Sequence, residues 1–448
     1  MTYKKNKSEV LIINSPLFRG YQKTDEEDSL PPIGLGYIAT FLKLRNIQVE
    51  LIDSIIQNIS LPKLKSIIRR KQPEFLAINI FSTNLKLVKE IVESINFKVH
   101  IIIGGLATRT LYPQILQWKT INQIDVVTGD GELITPDIIL NQIKEKSKVE
   151  IPNRRVFDIN GKSVYFIKDI STVLLNRDFF NNEPKLNYFG NQEASIVTSR
   201  GCIYNCSFCA AARSLNKEYP ARERSTDSIV RELNYIKTQN PETVSIRVLD
   251  DLFLKSKDSI TNAIDIFSKF DFQWRSMAHI KTFNGVGEDL LMKLKESGCY
   301  ELFIGIESGS PIILKSMNKT HDIRLIKENV EKLFKAKINV KCYFIYGFPD
   351  ETLEDMEMTY NLALEIKKLS IMHGSKFRTS VFQFRTYHGT LLYENLKKKY
   401  PGLDIDTINP DGKLTQLIGR KQFNFHSINH SKVSLKLIRD YICKTDMI

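Results

Sequence analysis

Cysteine is scarce, with six in 448 residues, and three of those six are crowded into 202–209. So low a count excludes a disulfide framework and fits a reducing, cytoplasmic compartment. Long apolar runs are lacking as well. No stretch approaches the length of a membrane-spanning helix, and the opening MTYKKNKSEVLIINSP has no signal-peptide core followed by a cleavage site. The expectation is a cytoplasmic protein with no membrane partner. There is no Gly-x-Gly-x-x-Gly turn, which argues against a nicotinamide dinucleotide site. No nucleic-acid-binding motif occurs either, although the net charge is +13. The lysines are spread along helix faces rather than gathered in one block. The basic balance therefore reads as a solvated surface, with nucleic acid not expected as a partner.

What is present has the bulk of a soluble globular protein, 42% apolar and 26% charged, and is long enough for two or three cored domains. From VLIINS onward, short apolar runs alternate with amphipathic ones. VELID (49–53), FLAINI (75–80), VHIIIGG (99–105) and IDVVTGDGE (124–132) read as strands, with helices between them. This pattern predicts a doubly wound, parallel, Rossmann-like α/β domain over 1–145. Ligands of such sheets bind at the C-terminal strand ends. Ser15, Asp53, Ser82, Gly104, Gly105 and the Gly129–Glu132 turn fall there. Residues 146–192, punctuated by Asn, Asp and Pro, predict a connector with a hairpin around Asn160-Gly161. From Ala194 six further strands alternate with helices, which predicts a partial (β/α)6 barrel over 193–390 with its site at the C-terminal strand ends. Residues 391–448 form a short C-terminal extension.

The three crowded thiols, Cys202, Cys206 and Cys209, form a Cys-x3-Cys-x2-Cys array in SRGCIYNCSFCAA (199–211). They are too close together to staple distant parts of a fold. They suit a loop that wraps three corners of an iron–sulfur cube, leaving one iron open. Zinc is the competing ligand, but the loop holds no His and the next one downstream is His279. Cys299, Cys342 and Cys443 read as buried thiols, with Cys342 close enough to a strand end to be a site residue.

The array, with Phe208 before its third Cys, resembles the signature of radical S-adenosylmethionine (radical SAM) enzymes. The resemblance implies a [4Fe-4S] cluster on Cys202, Cys206 and Cys209 whose open iron binds SAM and yields a 5'-deoxyadenosyl radical. It places SAM contacts at Phe208, at Asp250 or Asp251, at Gly305 and Glu307 in GIESGS, and at Gly347 in GFPDET. In FRTYHGT (384–390), Arg385 and His388 replace residues more often apolar or Pro in relatives, and become substrate candidates. Arg222 and Arg224 match a family pattern too, with a plain reading as salt bridges. Glu307 could alternatively cap a helix.

The N-terminal domain is similar to the cobalamin-binding domain fused to many radical SAM enzymes. The likeness rests on Pro31, Pro32, Gly34 and Leu35, on the Gly104–Gly105 pair, and on Val127, Gly129, Gly131 and Glu132. It implies cobalamin at Ser15, Pro32, Gly34, Leu35, Ser82, Gly104, Gly105, Gly129, Gly131 and Glu132. Two departures stand out. Leu106 follows the glycine pair where the family has Pro or His, and no Asp-x-His-x-x-Gly loop supplies an axial imidazole. The function implied is C-methylation of an unactivated carbon through a 5'-deoxyadenosyl radical and methylcobalamin, on a small-molecule or peptide substrate. An external electron donor such as flavodoxin or ferredoxin would be needed. Alternatives are a non-methylating rearrangement, ring contraction or cyclisation with the same cofactors, and a zinc-stabilised nucleic-acid-binding protein.

Overall fold

The computed structural model describes residues 10–17, 30–157, 164–180, 183, 185–413 and 425–448. The chain divides into two compact units. One comprises the residues up to Lys168 with Val173–Glu183 and Lys217–Pro220; the other comprises Asp169–Thr172, Pro184–Asn216 and Ala221–Ile448.

In the first unit the strands are β1 (Val10–Asn14), β2 (Val49–Asp53), β3 (Phe75–Asn79), β4 (His100–Gly104), β5 (Gln123–Val127), β6 (Val149–Ile151) and β7 (Arg154–Phe157). They form one sheet in the order β2-β1-β3-β4-β5-β7-β6, parallel except for β6. All five residues of β1 are buried, as a parallel strand covered on both faces requires. The covering helices are α1 (Ile33–Leu44), α2 (Leu61–Lys71), α3 (Leu85–Glu93), α4 (Thr108–Ile115) and α5 (Gly131–Ile139). The start of the expected connector therefore belongs to this sheet. Ile151 pairs with Arg154, so Pro152-Asn153 makes a two-residue turn with Asn153 at φ 60°. Pro followed by a left-handed Asn is turn chemistry. The hairpin expected at Asn160-Gly161 lies outside the described residues.

The second unit is built on β9 (Gln192–Ile196), β12 (Ser245–Val248), β13 (Gln273–Ala278), β14 (Cys299–Glu307), β15 (Asn339–Tyr346) and β16 (Phe377–Gln383). These six are parallel neighbours in that order, and the short antiparallel β8 (Lys185–Leu186) borders β9. Two-residue strands β10 (Ser199–Arg200) and β11 (Arg222–Glu223) pair across the mouth of the cysteine loop. Helices α6 (Thr226–Gln239), α7 (Lys257–Phe267), α8 (Glu288–Glu296), α9 (Pro311–Ser316), α10 (Ile323–Lys335) and α11 (Leu353–Met372) alternate with the strands. After β16 come α12 (Leu391–Lys399) and α13 (Leu435–Asp446). This is the curled half barrel that the strand–helix alternation predicts.

Period-2 alternation sorts the side chains of this sheet. Ile246, Val248, Trp274, Leu302, Ile304, Val340, Cys342 and Phe344 join the apolar core under the helices. Trp274 stacks on Phe267 at 4.7 Å, and its indole N–H donates to the Ser297 carbonyl at 3.0 Å. The opposite face carries charge. Arg275 grips Glu193 with Nε and Nη2 at 2.7 and 2.6 Å, and Arg378 grips Glu301 at 2.8 and 2.7 Å. Two bidentate pairs thus floor the half barrel, where unpaired charges would be costly.

Candidate active site at the strand ends

The cysteine loop leaves β10 with Gly201 at φ 87° and is tied down by its backbone. Ser207 N–H donates to the Met317 carbonyl at 3.1 Å, and Asn318 Nδ2 donates to the Asn205 carbonyl at 2.9 Å. Cys202, Cys206 and Cys209 are half-buried, whereas Cys299 and Cys342 are buried and Cys443 is partly covered on α13. Burial pushes the Cys209 thiol up to about 12, a cost that bound metal offsets because thiolates are the ligands. Among the described residues no group of three or more His, Cys, Asp or Glu side chains is arranged around a single ion. Phe208 meets Phe348 edge-on at 5.9 Å, which docks the loop on the GFPDET turn.

Of the two adjacent aspartates, Asp250 is occupied. It accepts from Thr198 N–H at 2.6 Å, Thr198 Oγ1 at 2.5 Å and Ser199 Oγ at 2.6 Å, so it braces the entry to the loop. Burial raises its pKa against those bonds. Among the described residues Asp251 accepts from Gly201 N–H alone, at 3.1 Å. The residue is exposed as a whole, yet desolvation by the surrounding protein raises the pKa of its carboxyl.

Glu307 ends β14 at φ 69°, a left-handed conformation that costs an L-residue energy. Its register with β15 slips between Gly305 and Glu307, and a Cβ on Gly305 would stand 2.3 Å from Glu307 Oε1. The following helix, α9, is capped by Ser310, whose side chain accepts from Ile313 N–H. Glu307 is thus not spent on capping. It pairs with Lys319 Nζ at 3.0 Å, while Lys319 also donates to the Gly305 carbonyl at 2.9 Å. Burial alone would lower the Lys319 pKa; Glu307 and the thiols of Cys206 and Cys209 outweigh it and raise it. Sequence reading missed Lys319 because one lysine among 64 basic residues gives no signal.

His279 was also missed. It lies 3.7 Å from the Tyr204 ring in a stacked pair, and its Nδ1 accepts from Lys281 N–H at 3.2 Å. That bond leaves the ring proton on Nε2. Burial, reinforced by Lys319 and Lys281, lowers its pKa to about 3, so the ring is neutral. Gly347 has φ 89° and its N–H donates to buried Glu351. Arg224 follows its plain reading as an internal ion pair with Glu232. Arg385 lies over Phe382 and Tyr387 at 5.8 and 5.5 Å. His388 is buried beside Tyr393, with Asp406 at 3.6 Å.

In the first unit the strand order reverses between β1 and β3, the switch point where such sheets bind ligands. Ser15 there is fully buried. Its N–H and Oγ both bond Asn79, and Asn84 Nδ2 donates to its Oγ at 2.6 Å. It serves as a rigid floor rather than a surface group. Beside it the strand ends expose apolar area, with Phe81 40% and Leu106 50% accessible. A Cβ on Gly104 would touch nothing within 4 Å, whereas one on Gly105 would strike the Ile80 carbonyl at 2.6 Å. An open, apolar ledge with small residues fits a large flat ring. Gly34 is exposed and Leu35 and Ser82 half-exposed nearby in sequence to these ends. Gly131 lies under Ile38, and the space at Gly129 is filled by Tyr219, whose ring also covers Arg109 at 4.1 Å. Pro32 lines a crevice with Asp53 and Phe180, and Glu132 is buried. His100 pairs with Asp125 at 2.8 Å at the start of β4, the opposite end of the strands.

A half barrel with a three-thiol loop, joined to a doubly wound sheet with an open ledge, defines a cluster-dependent radical enzyme with a second cofactor domain. The Radical SAM superfamily model matches residues 196–363 and the B12 binding domain model matches residues 27–139. The chain belongs to the cobalamin-binding radical SAM enzymes. Its cofactors are a [4Fe-4S] cluster, SAM and cobalamin. It is 28% identical over 379 residues to an uncharacterized methyltransferase of Pyrococcus horikoshii, covering 81% of this chain and 78% of that one. Among solved structures, the cobalamin-dependent SAM radical enzyme OxsB superposes with TM-score 0.64 at 16% identity, over 94% of this chain and 64% of OxsB. The radical SAM methyltransferase TsrM of Kitasatospora setae gives 0.60 at 14% identity, over 87% and 76%. No helix among the described residues is long and apolar enough to cross a membrane.

Proposed function

We propose that this protein is a cobalamin-dependent C-methyltransferase acting on an unactivated carbon of a small molecule. The observation that carries the reading is the presence of both cofactor domains on one chain that is similar, over most of its length, to a named methyltransferase. When bound, the cluster and SAM supply the hydrogen-abstracting radical and cobalamin supplies the methyl group.

The chain's own residues hold these pieces in place. Cys202, Cys206 and Cys209 are the cluster ligands. Asp251, with one N–H on its carboxylate, suits the SAM ammonium, and Asp250 positions the loop beside it. Lys319 suits the SAM carboxylate, and Glu307 suits the ribose hydroxyls. The backbone at Gly347 suits an adenine edge. The neutral His279 ring braces Tyr204 without adding charge. In the first unit, Gly104, Gly105, Ser82 and Leu106 form the ledge for the corrin. Arg385 and His388 remain substrate-side candidates.

Anaerobic incubation with SAM, a reductant and cobalamin, followed by mass analysis of the nucleosides, tests this reading. Methylation yields S-adenosylhomocysteine together with 5'-deoxyadenosine. 5'-Deoxyadenosine alone would replace it with a rearrangement or cyclisation.

A further inference from the structure

Among the described residues, the interior face of the half barrel holds a buried cation, Arg247, with no hydrogen-bond or ion-pair partner. Along β12, Ser245 and Arg247 point inward, while Ile246 and Val248 join the helix-side core. Arg247 is 7% exposed. Its Nε is sealed from solvent and has no hydrogen-bond partner, and among the described residues no hydrogen bond or ion pair reaches the rest of its guanidinium. The neighbour it does have is an aromatic face, the Phe303 ring at 5.1 Å. Lys341 approaches the same ring at 5.9 Å, adding a second positive charge.

The nearby carboxylates are already committed. Both Glu193 oxygens accept from Arg275, and Asn187 and Ser245 add further bonds. Glu301 is gripped by Arg378 and approached by Arg275. Arg247 acts on Glu193 through space, as one of the charges that lower its pKa against burial, but forms no pair with it. A buried guanidinium without a partner is expensive, and a fold tolerates it where an anion completes it. Its planar fork matches carboxylate and phosphate oxygens alike.

We propose that the half-barrel interior binds an acidic group of the substrate, a carboxylate or a phosphate, and that Arg247 is its anchor. The proposal rests on the methyltransferase reading for what that substrate undergoes. Arg247 lies four residues before Asp251, which at the rise of an extended chain is at most roughly 13 Å. The acidic group would thus sit deep, with the reacting carbon toward the strand ends and the aromatic wall of Phe303, Tyr343 and Phe382 between them. Tyr343 and Phe382 stack at 5.9 Å, and Phe303 tilts against Tyr343 at 6.4 Å.

The test uses the full-length, cluster-reconstituted protein under anaerobic conditions. Its melting temperature is followed against inorganic phosphate and, separately, acetate, each compared with chloride at matched ionic strength. Phosphate or acetate should raise the melting temperature above the chloride control, and the more effective anion identifies the acidic group. Arg247→Met removes the charge and keeps packing on Phe303. It should melt higher than the native protein in chloride and lose the anion response. Arg247→Lys keeps charge without the fork, and its half-maximal anion concentration should rise about tenfold. No response of the native protein to either anion overturns the proposal, and so does an undiminished response in Arg247→Met. Formation of 5'-deoxyadenosine and S-adenosylhomocysteine by the native protein is read separately, so failure of the methyltransferase reading is distinguishable.

Discussion

Glu351 offers a sharp test of how the fifth strand end is held. It is fully buried in the GFPDET turn, where one oxygen accepts the Gly347 and Phe348 N–H groups and the other has no hydrogen-bond partner among the described residues. Burial, opposed by those two N–H groups and aided by Asp355, raises its pKa from the ordinary 4.5 to about 8. The folded protein therefore keeps a proton here that the unfolded chain has already released. The stabilisation is fully present below pH 4.5 and is lost as pH rises through about 8. Each pH unit in that window removes about 1.4 kcal/mol. Glu351→Gln keeps the acceptor and cannot titrate, so any packing cost it brings is constant with pH. Between pH 5.5 and 7.5 the stability of the variant relative to native should improve by about 3 kcal/mol, or about 1 M in urea midpoint. Trp118 lies in the first unit and Trp274 in the second, and the chain has only these two. A Trp118→Phe background thus makes indole fluorescence report on the half barrel alone. A gap that stays constant across this range would refute the reasoning, because it would mean Glu351 ionises equally in both states.

Other outcomes follow from the same geometry. Cys202→Ala, Cys206→Ala and Cys209→Ala should each abolish reconstituted iron, while Cys443→Ala retains it; full iron in Cys206→Ala would remove the ligand assignment. Glu307→Gln should weaken SAM binding roughly tenfold, by calorimetry, with iron content unchanged. Lys319→Met removes the ion-pair partner of the Glu307 side chain and should weaken SAM binding further, since it leaves a buried carboxylate without that cation. Electron paramagnetic resonance of the cobalt(II) form should lack superhyperfine splitting from a nitrogen, because His100 is bonded to Asp125 away from the ledge; a nitrogen splitting would overturn this.

Much of the architecture was legible from periodicity. Buried parallel strands read as unbroken apolar runs, and helices such as Ile323–Lys335 carried a clean apolar stripe. The cysteine loop was legible because thiols are rare and their spacing is chemical. What escaped was long-range partnership. Asp250 and Asp251 are identical letters, and only the approach of Thr198 and Ser199 separates brace from open carboxylate. Ser15 looked like a surface group at a strand end until Asn79 and Asn84, some 65 residues on, enclosed it. Arg247 within SIRV reads as a polar residue of an alternating strand. That no hydrogen bond or ion pair reaches it among the described residues is a fact about its neighbours, invisible in its own segment.

The threading of the chain between the units has a consequence for synthesis. Gly36 in α1 is shaped to receive Phe180, since a Cβ there would lie 2.4 Å from that ring, and Gly129 likewise receives Tyr219. Both aromatics are encoded well after the last strand of their sheet. A ribosome that has released Phe157 has therefore delivered every strand of the first unit but not the side chains that close it. Two grooves stay uncovered until residue 180 and then residue 219 emerge, by which time the cysteine loop has already been made. Domains usually complete one after another as they leave the ribosome. Here the first unit finishes only after the cluster loop of the second has appeared, so a fragment ending at Lys168 should expose both grooves and aggregate where the full chain does not.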